Sequence, residues 1–225
     1  MGRVKALLGS RSKKIRGEDG LFIAEGIQSV RSALQTSQSK IVALYLSHDG
    51  HTRLLEDSPD LRLPDETYLV SDVVMQEMAQ TQTPQGIVAL CAIPKLQRQL
   101  SEYSRIAFFW QMQDPGNAGT VIRTADAFGF DAVVFSENSV DVYAPKVVRS
   151  TAGSLWNIDI FQDIPLDSLF DPNFTFHVIL AFAGEGREEL SEIAKRYMQQ
   201  REGKKDSEEK IVLIFGNEAR GLPDL

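Results

Sequence analysis

The sequence contains few of the residues and segments on which several protein classes depend. Cys91 is the single cysteine among 225 residues, which excludes an intrachain disulfide and a cysteine-rich zinc site. It lies in an apolar run typical of a strand, which predicts a buried and unreactive thiol. No apolar run approaches the roughly 18 to 20 residues of a membrane span, and the polar amino terminus does not match a secretory signal. We therefore expect a cytoplasmic protein.

Common catalytic signatures are also missing from the sequence. It has no G-x-S-x-G, no P-loop and no zinc-ligand spacing, so nothing in it predicts a hydrolase or a phosphotransferase. His48 and His51 flank a predicted turn without a cysteine or acidic residue at metal-ligand spacing, and His177 begins an apolar run. We expect no metal site and no catalytic histidine.

Positive charge is in deficit overall but concentrated at the amino terminus. The formal net charge of −7 argues against a protein that coats nucleic acid along its whole surface. The first sixteen residues nevertheless carry six basic side chains and no acidic one, and Val4 to Arg16 reads as one basic helix. Arg11, Lys13 and Lys14 are therefore candidates for contacts with phosphates. The alternative is a solvated, frayed segment, and this part of the sequence does not choose between the two.

The stretch from Gln113 to Phe135 carries most of the functional information. The apolar and aromatic run Arg105–Met112 precedes it, and a second run of strand length covers Asp131–Ser136. Between them, a turn leads into a segment whose apolar residues recur at helical spacing until Gly129. Strand, helix and strand make one βαβ unit, which predicts a parallel sheet with a helix on its face.

Arg123 lies in the second turn of this predicted helix. The position is close to the carboxyl end of a strand, where ligands of open α/β sheets usually bind. For a lone helical arginine the alternatives are snorkelling to solvent or an ion pair with Asp126 or Asp131.

A second strand-to-turn pattern occupies Lys210–Leu225, K-I-V-L-I-F-G-N-E-A-R-G-L-P-D-L. Its apolar run predicts a strand that ends at Gly216, and Gly221–Asp224 would begin a helix. Gly216 lets a ligand approach the backbone closely because it has no side chain. Glu218 could be only an acidic residue favoured at a helix start by the dipole.

Both stretches resemble motifs of the SpoU family of RNA ribose methyltransferases, which belongs to the SPOUT superfamily. The first motif is D-P-x-N-x-G followed by I-R-T-A and F-G, and it runs from Asp114 to Gly129. The second motif is G-N-E-x-R-G-L, from Gly216 to Leu222. Their spacing along the chain also fits the family.

The amino-terminal part resembles the substrate-binding domain of many SpoU enzymes, which is similar to RNA-binding ribosomal proteins. A basic helix, F-I-A-E-G and T-P-Q-G-I-V-A occur in that domain's order, with a polar, turn-prone section before Pro64. We predict an α/β protein with a small substrate-binding domain in residues 1–94 and a SPOUT-type domain with a parallel sheet in residues 105–225. The polar residues 95–104 would form the linker.

The resemblance implies an S-adenosylmethionine-dependent methyltransferase that acts on the ribose 2′-hydroxyl of structured RNA, with rRNA as the expected substrate. Members of the family work as homodimers, with the cofactor site near the interface. The alternatives are an RNA-binding protein that has kept the fold and lost methyl transfer, and a generic nucleotide-binding α/β module.

The resemblance also implies roles for individual residues. Arg123 would assist the 2′-hydroxyl, and Asn117 and Glu218 would hold the site together. Because arginine is effectively always protonated, stabilising the developing alkoxide is physically easier than acting as a base. The residues implied to contact S-adenosylmethionine are Ala181, Gly216 and Asn217.

Arg149 lies in Y-A-P-K-V-V-R-S-T-A-G, which resembles a family segment with a basic residue near the cofactor face. It could contact an RNA phosphate or be an ordinary surface charge. We place it with Arg11, Lys13 and Lys14 among the candidate RNA-binding residues.

The family's third motif, an I-P-M segment followed by S-L-N-x-S-x-A, would come after Leu225. That segment threads a loop to form the family's trefoil knot and supplies cofactor contacts. From the sequence we therefore expect an incomplete knot, and weak S-adenosylmethionine binding unless the downstream segment is present.

Overall fold

The computed structural model shows helices and strands alternating along the chain, which confirms the α/β prediction. The structure describes residues 2–8, 12–37, 39–171, 174, 178–182, 189, 191–192, 195 and 210–223. They fall into two compact units: unit 1 is Met1–Leu96, Asp114–Ala127 and Val140–Asp159, and unit 2 is Gln97–Gln113, Phe128–Ser139 and Ile160–Leu225. Within the described residues, no helix has the length and apolar character needed to cross a membrane.

The sheet of unit 1 has four strands in the order β1, β4, β2, β3. The strands are β1 (Leu21–Glu25), β2 (Ile41–Leu46), β3 (Thr67–Leu69) and β4 (Ile87–Ala92). β4 pairs antiparallel with β1 and β2, whereas β3 pairs parallel with β2 at the edge. The sequence predicts all four strands, with ends shifted by one or two residues, because each is a short run of apolar and β-branched residues.

Five helices accompany this sheet. They are α1 (Gly2–Leu8), α2 (Ser12–Asp19), α3 (Ile27–Gln35), α4 (His48–Asp57) and α5 (Asp72–Met78). Where the sequence predicts one basic helix from Val4 to Arg16, the structure describes two helical segments, α1 up to Leu8 and α2 from Ser12. Residues 9–11 lie outside the described part of the chain.

Helix α4 replaces much of the section predicted as turn-prone. Ser47 caps it, since the Ser47 Oγ accepts a hydrogen bond from Gly50 N at 3.1 Å. The helix anchors on Leu54, which is fully buried. A single buried leucine in a polar segment gives no helical periodicity, and this is why the sequence pattern did not predict the helix.

Unit 2 is built on a five-stranded sheet in the order β7, β6, β5, β9, β8. The strands are β5 (Arg105–Phe109), β6 (Ala132–Ser136), β7 (Asp159–Ile164), β8 (Val178–Phe182) and β9 (Ile211–Phe215). β5 pairs parallel with β6 and with β9, and β9 pairs parallel with β8, which confirms the predicted parallel sheet. Ile106, Phe108, Val134 and Ile214 pack in the core on one face.

Two helices that follow strands of the second sheet pack in unit 1. They are α6 (Pro115–Ala127) and α7 (Pro145–Ser150). Phe22 of β1 is buried between the rings of Tyr143 and Trp156, with centroid distances of 4.9 and 5.4 Å. The domain boundaries predicted at residues 94 and 105 stay a prediction, and so does the incomplete knot.

Candidate active site

The carboxyl ends of β5, β6 and β9 carry three polar residues that are tied together. Gln111 N donates to Ser136 Oγ at 2.8 Å, and Asn217 Nδ2 donates to Gln111 O at 2.8 Å. Gln111 has a φ of 48°, which few residues other than glycine adopt, and these two bonds hold it there. This edge of a parallel sheet is where ligands bind in open α/β folds.

Asn217 also shapes the loop that follows β9. Its Oδ1 accepts hydrogen bonds from Ala219 N at 3.0 Å and Arg220 N at 3.2 Å. Its main-chain N and O pair with O and N of Gly221 at 2.9 and 2.8 Å. Both ends of the amide are therefore used, and the loop is fixed relative to the end of β5.

Gly216 is required by the backbone of its own loop. A Cβ at Gly216 would lie 2.5 Å from the carbonyl carbon of Gly221 and 2.8 Å from Leu222 N. From the sequence, we expect Gly216 to let a ligand approach the backbone closely. In the structure, the close passage of Gly221 and Leu222 already requires a glycine at this position. Its contact with a cofactor stays a prediction.

Two more predicted site residues belong to the same unit. Glu218 is exposed in the turn after β9, and the described residues up to Pro223 contain no helix start after Gly221. The predicted helix start extends to Asp224, which lies outside the described residues, so the alternative role for Glu218 as an acid at a helix start stays a prediction. Ala181 lies in β8 opposite Ile214 of β9, and only its backbone belongs to the described part of the structure.

Asn117 and Arg123 lie on α6, whose start is fixed by Asp114. The Asp114 Oδ1 accepts from Asn117 N at 2.8 Å, and the Asp114 carbonyl accepts from Ala118 N at 3.0 Å. The helix buries Ala118 and Ile122 on its inner side, and Arg123 is exposed. The sequence correctly places Arg123 on this helix, but it assigns Asn117 to the preceding turn, whereas the helix already begins at Pro115.

The carboxylates considered as partners of Arg123 have other partners. Asp126 Oδ2 accepts from Asn157 Nδ2 at 3.0 Å, and Asp131 Oδ1 lies 3.1 Å from Arg105 Nη2. No described acidic side chain forms an ion pair with Arg123. Of the two alternatives for Arg123, the geometry therefore favours a solvent-exposed side chain over an ion pair.

Helix α6 packs tightly on α7, which the sequence did not predict. A Cβ at Gly119 would lie 1.9 Å from Ser150 Oγ, so only glycine permits this approach. The Ser150 Oγ donates to Pro115 O at 3.0 Å, at the first turn of α6. A glycine inside a helical pattern is the sequence signal for such a contact.

Arg149 of α7 is the partner of a buried carboxylate. Its Nη1 lies 3.2 Å from Glu25 Oε2, with side-chain exposures of 30% for Arg149 and 3% for Glu25. Glu25 also accepts hydrogen bonds from Gln80 N and Thr81 N, at 3.0 and 3.3 Å. Arg149 therefore has a structural role as the partner of Glu25, whether or not it also contacts RNA.

The basic residues of the amino terminus differ in burial. Lys13 and Lys14 are exposed on α2, and Lys14 Nζ lies 3.6 Å from Glu18 Oε1. Arg11 lies outside the described residues. Arg16 is buried, where it pairs with Asp141, and so it is not available to phosphates.

The lone thiol has the environment that the sequence predicts. Cys91 is fully buried in β4, and burial raises the pKa of its thiol well above the ordinary value. Among the described residues, no group of three or more His, Cys, Asp or Glu side chains is arranged to hold a metal ion.

Comparison with known proteins identifies the family. The family model described as SpoU rRNA Methylase family matches residues 104–225, more than half of the chain. The chain belongs to the SpoU rRNA Methylase family. The family match contains both motif stretches, and residues 2–89 match the MRM3-like substrate binding domain.

Individual relatives agree with this SpoU assignment. The 23S rRNA (guanosine(2553)-2′-O)-methyltransferase RlmP of Bacillus subtilis (strain 168) is 35% identical over 67% of this chain and 58% of its own. The uncharacterized tRNA/rRNA methyltransferase slr1673 of Synechocystis sp. is 30% identical over 97% of this chain and 76% of its own. The chain thus spans little more than half of the length of the first relative.

A solved structure shares the fold. The crystal structure of the AdoMet-bound rRNA methyltransferase from Sinorhizobium meliloti superposes with a TM-score of 0.72 at 23% identity, covering 99% of this chain and 79% of that one. This likeness extends the SpoU fold assignment to nearly the whole chain.

Proposed function

We propose that this chain belongs to an S-adenosylmethionine-dependent methyltransferase that acts on the ribose 2′-hydroxyl of RNA, with rRNA as the substrate class. The family match over residues 104–225 carries the proposal, because it spans both motif stretches. The similarity to RlmP, a 23S rRNA 2′-O-methyltransferase by name, supports the choice of acceptor group and of RNA.

Arg123 is the residue proposed to act on the acceptor. The ribose hydroxyl must give its proton to solvent as its oxygen bonds to the methyl carbon, and a positioned guanidinium lowers the energy of the negative charge that loss of the proton leaves on that oxygen. Because arginine stays protonated, Arg123 acts as an electrostatic stabiliser rather than as a base. Asn117 and Glu218 are proposed to hold the site together, and the Asp114 cap fixes the helix turn that carries Asn117.

The proposed cofactor residues are Ala181, Gly216 and Asn217, near the carboxyl ends of β8 and β9. These neighbouring strands pair in register, with Ala181 opposite Ile214 and Phe182 opposite Phe215. The loop after β9 is uncharged at Gly216 and Asn217, which suits the neutral adenosyl part of the ligand. When bound, S-adenosylmethionine supplies a methyl group on a sulfonium.

We propose RNA contacts for four basic residues. We also propose a homodimeric assembly. Lys13 and Lys14 are exposed on one helix, which suits contacts with phosphates. Arg149 can contribute only the donors that Glu25 leaves available. Arg11 completes the proposed set. A homodimer and a cytoplasmic location are proposals that rest on the sequence resemblance.

Replacing Arg123 by Ala in the full-length protein tests the mechanism. We expect transfer of labelled methyl groups from S-adenosylmethionine to deproteinised 23S rRNA to fall by more than about tenfold, or about 1.4 kcal/mol of barrier. The fold should be unchanged, because the side chain is exposed.

Arg53→Ala is the matched control, since Arg53 is an exposed arginine on α4. Its methyl transfer should equal that of the parent protein. Equal activity of Arg123→Ala and the parent would remove Arg123 from the mechanism. RNA binding by a parent that transfers no methyl groups would favour the RNA-binding alternative.

A further inference from the structure

A cavity within unit 1 lies apart from the residues that we assign to methyl transfer. Its volume is about 310 Å³, and its lining includes Glu25, Ser29, Thr81, Thr83, Gln85 and Arg149. The two short motifs F-I-A-E-G and T-P-Q-G-I-V-A supply Glu25, Gly26, Thr83 and Gln85 of this wall, and α7 supplies Arg149. Two segments far apart in sequence therefore converge on one polar cavity.

The first turn of α3 opens into this cavity. Gly26 precedes the helix with a φ of 97°, a conformation that favours glycine, and it offers no side chain to cap the helix. Gln85 Oε1 accepts from Ile27 N at 2.8 Å. The following N–H groups of a first helical turn have no partner within the helix, and together with the helix dipole they favour an anion.

Ser29 gives the cavity an unused donor. Its residue exposure is 3%, and the Oγ is one of two buried side-chain polar atoms in the described residues that have no hydrogen-bond partner, the other being Ser139 Oγ. A buried hydroxyl without a partner costs free energy unless a ligand or water satisfies it. Because Ser29 also lines the cavity, its hydroxyl is an unused donor beside the space that a ligand would fill.

The net charge of the side chains that line the cavity limits the charge of the anion that it can bind. The Glu25 carboxylate already accepts from Gln80 N, Thr81 N and Thr81 Oγ1 in addition to Arg149, so its role is to hold this wall and orient the guanidinium. Glu25 and Arg149 cancel in formal charge. The remaining attraction comes from the helix dipole, worth roughly half an elementary charge, and from oriented donors. This suits a group with one negative charge.

We propose that this cavity binds one phosphodiester group of the RNA backbone. A phosphodiester carries a single charge and several acceptor oxygens, and arginine, hydroxyl groups and helix N-termini are its usual partners. The inference rests on the proposed function for the choice of RNA.

The same contacts connect the cavity with helix α6. Arg149 and Ser150 are neighbours on α7, and Ser150 Oγ donates to Pro115 O at the start of α6. The close approach of Gly119 to Ser150 keeps the two helices in a fixed relation. A phosphodiester held by Arg149 is therefore positioned relative to the helix that carries Arg123.

Thr83 lines the cavity and is exposed, so a negative charge can be introduced there without disturbing the core. Such a charge should repel a bound phosphodiester. Filter binding of deproteinised 23S rRNA across a salt series, without cofactor, compares the parent with Thr83→Glu and its neutral control Thr83→Gln. We expect Thr83→Glu to raise Kd at least about tenfold and to reduce the slope of log Kd against log salt by about 0.7 to 0.9, the value of one phosphate contact. Thr83→Gln should match the parent.

Ser29→Ala tests the unused hydroxyl, with Ser139→Ala as its control because both remove a buried hydroxyl without a partner. We expect Ser29→Ala to raise Kd for the rRNA about tenfold and Ser139→Ala to leave it unchanged. In a parallel arm, dimethyl phosphate and inorganic phosphate are titrated into the protein, with the amide resonances of Gln28 and Ser29 as the readout. Larger shifts with dimethyl phosphate support the singly charged ligand.

The outcomes separate this site from methyl transfer. If the parent binds rRNA while Thr83→Glu matches Thr83→Gln and Ser29→Ala matches Ser139→Ala, the phosphodiester site is wrong and the proposed function stands. If dimethyl phosphate shifts the amides while the parent does not bind rRNA, RNA is the wrong source of the ligand and the proposed function loses its substrate. Loss of rRNA binding in these variants supports the site even where Arg123→Ala leaves methyl transfer unchanged.

Discussion

At the scale of single residues, contacts with the main chain account for Gly216 and Asn217 in the loop after β9. The Asn217 side chain satisfies three main-chain groups, one of them the carbonyl of Gln111, and Gly216 permits the close passage of Gly221. These contacts fix the loop before any ligand is bound. Preorganised main-chain groups of this kind reduce the ordering cost of binding.

Gly216→Ala should therefore destabilise the protein. A Cβ at 2.5 Å from a backbone carbon forces the loop to move, at a cost of about 1 to 3 kcal/mol. Urea denaturation measures the free energy of unfolding. Gly17→Ala is the control, since a Cβ at Gly17 meets nothing within 4 Å. Equal stability of the two variants would mean that the loop tolerates the side chain.

Cys91 makes stability depend on alkaline pH. Its ordinary pKa is 9.0, and burial raises it in the folded state. A neutral thiol is favoured in the fold, so its contribution is fully present below pH 9 and is lost as pH rises above 9, by up to about 1.4 kcal/mol per unit.

Cys91→Ala should reduce this alkaline loss. The free energies of unfolding of the parent and the variant are compared at pH 7 and at pH 10. The variant is expected to be less stable at pH 7, because it leaves a cavity, and to lose less stability between the two pH values. An identical alkaline loss in both proteins would show that the thiol does not contribute.

At the scale of elements, α2 has two different sides. Lys13 and Lys14 face solvent, whereas the Arg16 guanidinium donates to Leu7 O at 2.9 Å and to Asp141 Oδ2 at 3.0 Å. The Arg16 and Asp141 side chains are only 5% and 14% exposed. The helix therefore uses one cation to hold the fold and presents the others to solvent.

Arg16→Ala should cost far more stability than Lys13→Ala. Removing one partner of a buried ion pair leaves an uncompensated charge, at a cost of about 3 to 5 kcal/mol. Replacing the exposed Lys13 should change the free energy of unfolding by less than about 0.5 kcal/mol. Thermal denaturation of both variants is the measurement. A small effect of Arg16→Ala would show that Asp141 is solvated without its partner.

At the scale of the whole molecule, the chain passes between its two units several times. Residues 114–127 and 140–159 belong to the first unit although they follow strands of the second sheet. Phe22 is fully buried, with Tyr143 and Trp156 against its ring. Cutting the chain at the predicted boundary would remove both aromatic partners.

A fragment of residues 1–94 should therefore melt at a lower temperature than the 225-residue chain and bind an apolar dye. Phe22→Ser in the fragment should reduce dye binding, because Phe22 would be the exposed ring. Cooperative melting of the fragment at the temperature of the full chain, without dye binding, would instead support an independent domain that ends at residue 94.

The sequence by itself determined the strand–helix–strand unit of β5, α6 and β6, the later strand β9, the parallel arrangement and the residues of the two motifs. These features are local, since each strand is a short apolar run and each turn is marked by glycine, asparagine or proline. The same local patterns placed Arg123 on a helix, Asn117 in the turn that leads into it, and Gly216 and Asn217 in one loop.

The tertiary structure alone decided which residues are partners. Glu25 and Arg149 are 124 positions apart in the chain, and Arg16 and Asp141 are 125 apart. Periodicity indicates whether a position is buried, but it does not identify the residue that packs against it. The sequence did not distinguish these basic residues from one another. In the structure Arg16 forms a buried ion pair, and Arg149 forms a partly buried ion pair beside the polar cavity. Lys13 and Lys14 are exposed to solvent.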